Sequence, residues 1–398
     1  MFLRWRFIIN VGIFTDTYFP QVSGVATSIK TLKEQLEDHG HQVYIFTTTD
    51  PHVPKNTYEH NIFRFSSIPF ISFTDRRIAI RGLFRAYRIA KQLNLDIVHT
   101  QTEFSMGIIG RFVAKKLKIP CLHTYHTMYE DYLHYVARGK LLKPIHVKEG
   151  TLVFCHHLDG VIAPSKRVLD KLTSYGVKSP IRVIPTGINV AHYNQGRYQN
   201  LRPEFGFTAK TPVLLSVSRL AYEKNIRELI DAMPLILRQV PEAKLVIVGD
   251  GPAKADLLNQ TKALHLTHQI IFTGEVNNED VNQYYHMANV FVSTSNSESQ
   301  GLTYIEAMAT GLKVVVVRSA YTQDLLNHKS LGMTFRSEAE YVNEVVTYLK
   351  HGDRYRLLDN HLRQQKLREI SSTNFEKKVV AFYRSCQLNF EKRISAAN

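Results

Sequence analysis

The segment ANVFVSTSNSESQGLTYIEAMATG, residues 288–311, decides how the chain is expected to fold. It starts with a short apolar, β-branched run, continues through a polar loop, and ends in a helix-like stretch that Gly301 would open. Two glutamates, Glu298 and Glu306, lie eight positions apart on either side of that glycine. The order strand, loop, helix predicts one repeat of a parallel α/β sheet, with both carboxylates near the carboxyl end of the strand.

The same alternation recurs along the whole chain, where short apolar runs are separated by amphipathic segments. This pattern is typical of parallel sheets covered by helices on both faces, so an α/β protein is expected. Predicted strands cover residues 7–14, 42–46, 96–100, 119–124 and 160–163 in the first half, and 212–217, 244–248, 269–272, 289–293 and 313–317 in the second. Predicted helices of the first half cover residues 23–38, 76–94 and 105–117.

The length of 398 residues suits two domains, because a single hydrophobic core stops growing at about 250–300 residues. The two series of strands predict two doubly wound domains, residues 1–190 and 191–372, joined through the aperiodic segment 185–205. A last helix, residues 373–398, is expected to pack back toward the first domain. Ligands bind beyond the carboxyl ends of parallel strands, so two facing sheets would hold a ligand in the cleft between them.

Positive charge is concentrated in the first half of the chain. Residues 1–200 contain 26 Lys and Arg against 14 Asp and Glu, a balance of +12, whereas residues 201–398 contain 24 against 21, a balance of +3. A basic half beside a nearly neutral half indicates that the first domain meets an anionic surface. Nucleic acid is disfavoured, because the sequence has no helix-turn-helix, zinc-ligand or aromatic–basic RNA motif. An anionic membrane remains as the candidate partner of the basic first domain.

The cysteines and the N-terminal residues point to a cytoplasmic protein. Cys121, Cys155 and Cys386 are widely spaced and form neither a disulfide framework nor a metal motif, which favours a reducing compartment. The start MFLRWRFIINVGIF is interpreted as the first buried strand rather than a signal peptide, because no small-residue cleavage site follows. No apolar run reaches the roughly 18–20 residues of a spanning helix.

Two cations near the middle of the chain are candidates for holding a phosphate. Arg219 follows the apolar run 214–218 directly, and Lys224 lies where the next helix is predicted to begin. A guanidinium and an ammonium beside a helix N-terminus can hold a phosphate or diphosphate together. Taken alone, such a pair is more often a solvated surface pair. The Gly-x-Gly turn at 249–251 is a weak signal, since most such turns only join a strand to a helix.

The two glutamates are suited to binding hydroxyl groups, because an ionised carboxylate accepts hydrogen bonds from two adjacent hydroxyls. Their Glu-x7-Glu spacing in SESQGLTYIEAMATG resembles the donor motif of retaining glycosyltransferases of GT-B fold, glycosyltransferase family 4. The resemblance extends over nearly the whole chain. First-domain segments that are similar to bacterial 1,2-diacylglycerol 3-glucosyltransferases, which make monoglucosyldiacylglycerol from UDP-glucose, are GIFTDTYFPQVSGVATSI at 12–29, HTQTEFSMGIIG at 99–110, HTYHTMYEDYLHY at 123–135 and IPTGIN at 184–189.

The resemblance implies a role for each matching residue. Arg219 and Lys224 would neutralise the UDP diphosphate, Glu306 would bind the ribose, and Glu298 would hold the transferred sugar together with the backbone of Gly301, Leu302 and Thr303. In the first domain, Gly24 in the loop 22–25 would let backbone approach the sugar phosphate, and His126 would contact the donor sugar. The implied mechanism is front-face transfer with retention, in which the departing diphosphate helps to deprotonate the acceptor. No tightly bound cofactor or metal cluster is expected, and any Mg²⁺ would come loosely with the nucleotide.

Residues 75–95, DRRIAIRGLFRAYRIAKQLNL, are predicted to be a basic amphipathic helix that binds anionic lipid. Upstream, SIPFISF at 67–73 would expose aromatic side chains in a loop. The protein would then be peripheral on the inner face of the cell membrane. The alternative is a helix that buries its apolar stripe on the sheet and leaves its arginines in water. The apolar stripe consists of Ile80, Leu83, Phe84 and Tyr87, and the cationic stripe of Arg77, Arg81, Arg85 and Arg88.

Other functions stay open on the sequence alone. A family-4 transferase could use UDP-galactose, a glycosylated lipid or a soluble acceptor, and a non-catalytic module could bind sugar nucleotides or another polyanion. Gln300 stands where many relatives have an aromatic residue, which bears on donor choice. Glu130 and Asp131, close to His126, are candidates for orienting the acceptor hydroxyl or a cation.

Overall fold

The computed structural model describes residues 8–21, 23–54, 57–70, 73–130, 143–195, 198–277, 279–356 and 360–397. The chain divides into two compact units. The first unit consists of Met1–Gly187 with Ser372–Asn398, and the second of Ile188–Ser371. Each unit contains its own parallel sheet, which confirms the predicted α/β class. In the described ranges, no helix is long and apolar enough to cross a bilayer.

The first unit is built on a seven-stranded parallel sheet with the order β3-β2-β1-β6-β7-β8-β9. Helices pack on both faces and bury two apolar clusters against the strands. The strands are β1 (Asn10–Phe14), β2 (Gln42–Thr48), β3 (Ile62–Phe65), β4 (Ser67–Phe70), β5 (Phe73–Ala79), β6 (Ile97–Thr100), β7 (Cys121–Thr124), β8 (Gly160–Ala163) and β9 (Ile181–Val183). The helices are α1 (Gly24–Asp38), α2 (Leu83–Gln92), α3 (Ser105–Leu117), α4 (Pro144–Cys155) and α5 (Lys166–Tyr175).

The second unit has a six-stranded parallel sheet with the order β12-β11-β10-β13-β14-β15. Counted along the chain, this order is 3-2-1-4-5-6, that of a Rossmann fold. The strands are β10 (Val213–Val217), β11 (Lys244–Val248), β12 (Ile270–Gly274), β13 (Val290–Ser293), β14 (Lys313–Val317) and β15 (Gly332–Phe335). The helices are α6 (Val190–Gln195), α7 (Ile226–Gln239), α8 (Lys254–Ala263), α9 (Val281–Met287), α10 (Leu302–Thr310), α11 (Ala320–Leu325), α12 (Glu338–Arg356) and α13 (Asn360–Glu369).

The last helix, α14 (Ser372–Ala397), belongs to the core of the first unit. The hydroxyl of Tyr383 lies 2.7 Å from Nδ1 of His99 on β6, and both side chains are buried. Gly160 at the start of β8 permits this close packing, since a Cβ there would lie 2.6 Å from the ring of Phe382. An ion pair between Arg393 and Asp159 adds a charged contact to the same helix.

The predicted helix over 76–94 is wrong in its first half. Residues Phe73–Ala79 instead form β5, which pairs antiparallel with β4, so the aromatic segment at 67–73 is a hairpin rather than a loop. Arg77 donates hydrogen bonds to the side chain and carbonyl of Ser67 across this pair. Gly82 then has φ +131, a conformation that favours glycine, and α2 begins only after it. Residues 71–72 lie outside the described residues.

Three of the four edge strands of the two parallel sheets were missed by the sequence prediction, whereas β12 at the fourth edge and the inner strands were predicted within a few residues. The missed strands β3, β9 and β15 have three or four residues each, and the side chains of β9 are half-buried or exposed. Short edge strands lack the continuous apolar run by which buried parallel strands are recognised. The segment 185–205, predicted to be aperiodic, contains the short helix α6.

Candidate active site

Each parallel sheet has one point where the strand order reverses, and ligands of such sheets bind beyond the carboxyl ends of the strands at that point. In the second unit this point lies between β10 and β13. Arg219 and Lys224 follow β10, and Glu298 and Gly301 follow β13. The fold therefore brings four of the predicted donor residues to the reversal point of one sheet.

Lys224 and Glu298 are in direct contact. Lys224 Nζ lies 2.6 Å from Glu298 Oε1, and both side chains are largely shielded from solvent. Thr294 fixes this arrangement, because its hydroxyl donates to the carbonyl of Asn225 at 2.8 Å and so joins the loops after β13 and β10. The role of Lys224 and Glu298 in binding a donor stays a prediction, but the structure does place an ammonium and a carboxylate together at the reversal point.

The Gly-x-Gly turn after β11 positions the loop that carries Arg219. A Cβ at Gly249 would lie 2.0 Å from the carbonyl oxygen of Ser218, and one at Gly251 would lie 2.5 Å from that of Leu220. Both glycines also have positive φ, +135 and +157. Only glycine allows this close backbone approach, and the backbone of the exposed residue Arg219 lies between the two contacts. The weak sequence signal of this turn thus marks a loop-positioning element.

Helix α10 begins as predicted, with Gly301 as its N-cap at φ +69. A Cβ at Gly301 would lie 2.7 Å from the ring of Tyr304, which adds to the preference for glycine. Because Gly301 has no side chain, this N-cap supplies no capping hydrogen bond to the first amides of the helix. Leu302 and Thr303, the first two helical residues, are half-buried at the positive end of the helix dipole.

Glu306 is buried within the second turn of α10, only 6% exposed. Its Oε2 accepts a hydrogen bond of 2.7 Å from the hydroxyl of Tyr285, and the carboxylate is also hydrogen-bonded to Tyr193. Burial raises the pKa of Glu306 above its ordinary value, although both phenols counteract the shift. The predicted contact with ribose stays a prediction. Sequence reasoning missed both tyrosines, which lie 113 and 21 positions before Glu306 and share no motif with it.

At the reversal point of the first unit, between β1 and β6, the carboxylate of Asp16 lies at the N-terminus of a helix. Asp16 follows β1 and accepts hydrogen bonds from the backbone N–H of Met106 at 3.0 Å and from the hydroxyls of Thr102 and Ser105. Asp16 therefore caps the N-terminus of α3, although the two residues are 90 positions apart. Burial raises the pKa of Asp16, and these hydrogen bonds oppose the rise. Sequence reasoning missed this cap.

His126 follows β7 in the first unit. Its Nε2 lies 2.6 Å from Oε1 of Gln101, which follows β6. Burial, together with the neighbouring ring of His123, lowers the pKa of His126 to about 3, so the imidazole is neutral near pH 7. Gly24, assigned to the loop 22–25 but also covered by the predicted helix 23–38, is the exposed first residue of α1, whose N-cap is Ser23. Contact of His126 or Gly24 with a donor stays a prediction.

Glu130 takes part in a local network with α5. It pairs with Lys171 Nζ at 2.5 Å and accepts a hydrogen bond from the hydroxyl of Tyr175. Asp131, named with it as a candidate, lies outside the described residues. In the part of the chain that the structure describes, no three His, Cys, Asp or Glu side chains form a group that could hold a metal ion.

Comparison with known proteins gives the family of the chain. The model for Glycosyltransferase Family 4 matches residues 22–192, and that for Glycosyl transferases group 1 matches residues 198–366. The chain is 45% identical over 394 residues to the alpha-monoglucosyldiacylglycerol synthase of Streptococcus pneumoniae, covering 97% of this chain and 88% of that protein. It is 33% identical over 409 residues to the synthase of the same name from Acholeplasma laidlawii, covering 95% and 96%.

Solved structures show the same fold at lower identity. Sucrose-phosphate synthase from Thermosynechococcus elongatus superposes with a TM-score of 0.76 at 21% identity, over 98% of this chain and 100% of that chain. HepE from Anabaena, crystallised in complex with UDP, superposes with a TM-score of 0.73 at 17% identity, over 95% and 100%. These likenesses confirm the predicted GT-B fold with two Rossmann-like units. The chain is a glycosyltransferase and belongs to glycosyltransferase family 4.

Proposed function

We propose that this enzyme transfers glucose from UDP-glucose to the free hydroxyl of 1,2-diacylglycerol, giving α-monoglucosyldiacylglycerol with retention of configuration. Two relatives that cover nearly the whole chain are named alpha-monoglucosyldiacylglycerol synthase, which supports the product. One observation of the structure carries the donor assignment. The Lys224–Glu298 pair lies at the reversal point of the second sheet, in the loops that precede α7 and α10.

The diphosphate of the donor would be held by two cations and the amides of α10. Lys224 has three N–H donors, so it can keep its bond to Glu298 and donate to a phosphate oxygen at the same time. Arg219 is exposed in the same region and supplies a planar donor fork that suits phosphate. The first amides of α10 have no capping side chain from Gly301 and lie at the positive end of the dipole. All three groups favour an anion.

The two carboxylates would divide the hydroxyls of the donor between them. Glu298 would accept hydrogen bonds from the transferred sugar while its other oxygen stays with Lys224. Glu306 would accept hydrogen bonds from the ribose, whereas the backbone N–H groups of Leu302 and Thr303 would donate to the donor on its phosphate side. Gln300 lies next to this set in the sequence and would contribute to donor choice. In the first unit, Gly24 and His126 would meet the sugar phosphate and the sugar.

The chemical step replaces one bond at the anomeric carbon with another on the same face. The bond from that carbon to the diphosphate oxygen breaks, the acceptor hydroxyl oxygen forms the new bond, and the hydroxyl proton passes to the departing diphosphate. Negative charge grows on the leaving group, where Arg219, Lys224 and the α10 amides would stabilise it. His126 is a poor base near neutral pH, because its pKa is about 3. This supports the diphosphate as the proton acceptor.

A membrane-facing surface is proposed on the first unit, where β5, α2 and α3 pack together. Four large apolar side chains of this surface are exposed: Ile80 by 57%, Phe84 by 70%, Phe104 by 47% and Ile108 by 57%. Three of the four predicted arginines, Arg81, Arg85 and Arg88, are exposed on or next to α2, whereas Arg77 is half-buried in β5. Exposed aromatic and aliphatic side chains beside cations are suited to the interface of an anionic bilayer.

An assay on diacylglycerol vesicles tests the proposed reaction. Purified enzyme receives UDP-glucose or UDP-galactose, and the lipid product is separated and its anomeric configuration determined by NMR. We expect α-glucosyl diacylglycerol from UDP-glucose, with turnover lost in Lys224→Ala. A galactosyl product, a product that forms only on glycosylated lipid, or one that forms only on a soluble acceptor would each replace the proposal. UDP binding without any transfer would indicate the non-catalytic module instead.

Sedimentation with vesicles of stated charge tests the membrane surface. Binding should rise with the fraction of anionic lipid and fall with salt, and Phe84→Ser combined with Ile108→Ser should weaken it. Leu264→Ser is the matched control, because it removes an exposed leucine from the second unit. Binding that does not depend on lipid charge and salt, or that falls equally in the control, would contradict the proposed membrane-facing surface.

A further inference from the structure

The carboxylate of Glu306 lies between two buried phenols that come from different helices. Tyr285 on α9 donates its hydroxyl to Oε2 of Glu306 over 2.7 Å, and Tyr193 on α6 is hydrogen-bonded to the same carboxylate. The rings of the two tyrosines lie close together in an edge-to-face arrangement, with centroids 6.1 Å apart. Both side chains are buried, so solvent does not compete for these hydrogen bonds. The orientation of the carboxylate is therefore set from two sides.

Tyr193 is held in place although its own helix is short. Helix α6 has six residues, too few to be stable by itself. Two contacts to α9 fix it: Asn282 Nδ2 donates to the carbonyl of His192 at 2.9 Å, and His286 Nε2 lies 3.0 Å from the carbonyl of Tyr193. The backbone of Tyr193 is thus tied to the helix that carries Tyr285, so the two phenols form one unit around Glu306.

A purely structural role does not explain a carboxylate at this position. Among the described residues, Glu306 has these two phenols as partners and no lysine or arginine. Burying a carboxylate without a cation is costly, and a neutral glutamine could accept the same two hydrogen bonds at a lower cost. An ionised carboxylate accepts about four hydrogen bonds. The phenols use two of these, which leaves about two acceptor sites for a ligand.

We infer that Tyr193 and Tyr285 are positioning residues that direct the remaining acceptor sites of Glu306 to the two hydroxyls of a nucleotide ribose. The inference rests on the proposed function, in which Glu306 holds the ribose of the donor. It adds a preference for ribonucleotides over 2′-deoxyribonucleotides. A ligand without the 2′-hydroxyl leaves one buried acceptor site of Glu306 unpaired, and buried unpaired groups discriminate strongly between otherwise similar ligands.

Calorimetric titration of UDP and 2′-deoxy-UDP at neutral pH tests this inference on the whole protein. We expect the wild type to bind UDP at least about tenfold more tightly, as for a hydrogen bond to a charged group. In Tyr193→Phe and Tyr285→Phe the ratio should fall to about threefold or less, while the affinity for 2′-deoxy-UDP stays within about twofold of the wild type. A loss of structure alone would lower both affinities together and leave the ratio unchanged.

Tyr304→Phe is the matched control, because it removes another buried phenol from α10, one whose hydroxyl lies 3.0 Å from that of Ser293. It should keep the wild-type ratio. Equal binding of both nucleotides by the wild type would remove Glu306 as a ribose acceptor and count against the proposed function. A discriminating wild type whose ratio survives in both variants at Tyr193 and Tyr285, or falls equally in Tyr304→Phe, would overturn the inference alone. Should Tyr285→Phe fail to fold, Tyr193→Phe decides by the same ratio.

Discussion

The two units share a sheet topology but treat its reversal point in opposite ways. In the first unit, the carboxylate of Asp16 lies at the N-terminus of α3. It accepts a hydrogen bond of 3.0 Å from the backbone N–H of Met106. In the second unit, the corresponding helix α10 begins at Gly301, which has no side chain to offer. A helix N-terminus attracts an anion in either case. The first unit supplies that anion itself, whereas in the second unit we propose that the anion of a ligand takes this place.

The charges around the two points differ in the same sense. The residues that directly follow β1, β6 and β7 include Asp16 and Glu103 and neither lysine nor arginine, and His126 there is neutral. After β10, the second unit places Arg219 and Lys224. One fold thus yields a reversal point capped by the protein's own Asp16 and another that carries Arg219 and Lys224 beside Glu223 and Glu298. This difference assigns the proposed donor role to the second unit.

Removal of a cation from the reversal point of the second sheet should have the largest effect on activity. Lys224→Ala or Arg219→Ala should lower kcat/KM by about 10²–10³-fold, because each would stabilise charge that grows on the leaving diphosphate. Initial rates with UDP-glucose and diacylglycerol vesicles measure it. Lys210→Ala, an exposed lysine before β10, should be neutral. Near-normal turnover of both site variants would show that these cations do not distinguish the reversal point of the second sheet from that of the first.

Removal of the internal anion from the first point should cost stability. Asp16→Ala leaves the Met106 amide and two hydroxyls without their acceptor, so the free energy of unfolding of the first unit should fall by about 2 kcal/mol. Thermal and urea unfolding followed by circular dichroism measure this change. Asp170→Ala, on the exposed face of α5, serves as the control. An unchanged unfolding midpoint in Asp16→Ala would show that the cap is dispensable.

The sequence predicted the parts of this comparison that depend on local patterns. The bounds of β8, β11, β14 and α3 agree with the prediction, because each is a continuous apolar run or a periodic segment between clear breakers. The loops after β10 and β13 were placed correctly for the same reason. The sequence did not predict the contact between Lys224 and Glu298, because it depends on the strand order that brings the ends of β10 and β13 side by side.

Long-range partners could not be predicted from the sequence. The cap of α3 by Asp16 and the phenols around Glu306 join segments that are far apart in the chain and have no common spacing. Residues 76–79 of β5 were mistaken for helix because the helical period of Ile80, Leu83, Phe84 and Tyr87, three of which lie in α2, was extended upstream. Pairing with β4 and the positive φ of Gly82 override that period.

The raised pKa of Glu306 predicts a pH dependence of UDP binding at the reversal point of the second sheet. Burial raises this pKa above 4.5, so on acidification the carboxylate takes up a proton at a higher pH than an ordinary glutamate and then accepts fewer hydrogen bonds. UDP affinity should fall by roughly tenfold as pH drops through the raised pKa. The phosphate of UDP titrates as well, so Glu306→Gln, which lacks this step, isolates the carboxylate. Identical pH profiles of the two proteins would contradict the assignment.

Substitution of His126 should have the smallest effect on the rate, and His126 should add no pH dependence to kcat. Its pKa of about 3 keeps the ring neutral above pH 5, so the kcat profile should show no step from this residue near pH 6.5. His126→Gln should lower the rate by about two- to tenfold, the loss of one neutral hydrogen bond. A step near pH 6.5 that disappears in His126→Gln would show that the ring is charged and acts as a base.

Calorimetric titration with UDP tests most directly the claim that the reversal point of the second sheet holds the nucleotide. The wild type and the double variant Arg219→Ala, Lys224→Ala are compared at one salt concentration. The double variant should bind UDP at least about a hundredfold more weakly, because two phosphate-binding cations are lost. A Kd within twofold of the wild type would place the nucleotide elsewhere on the molecule.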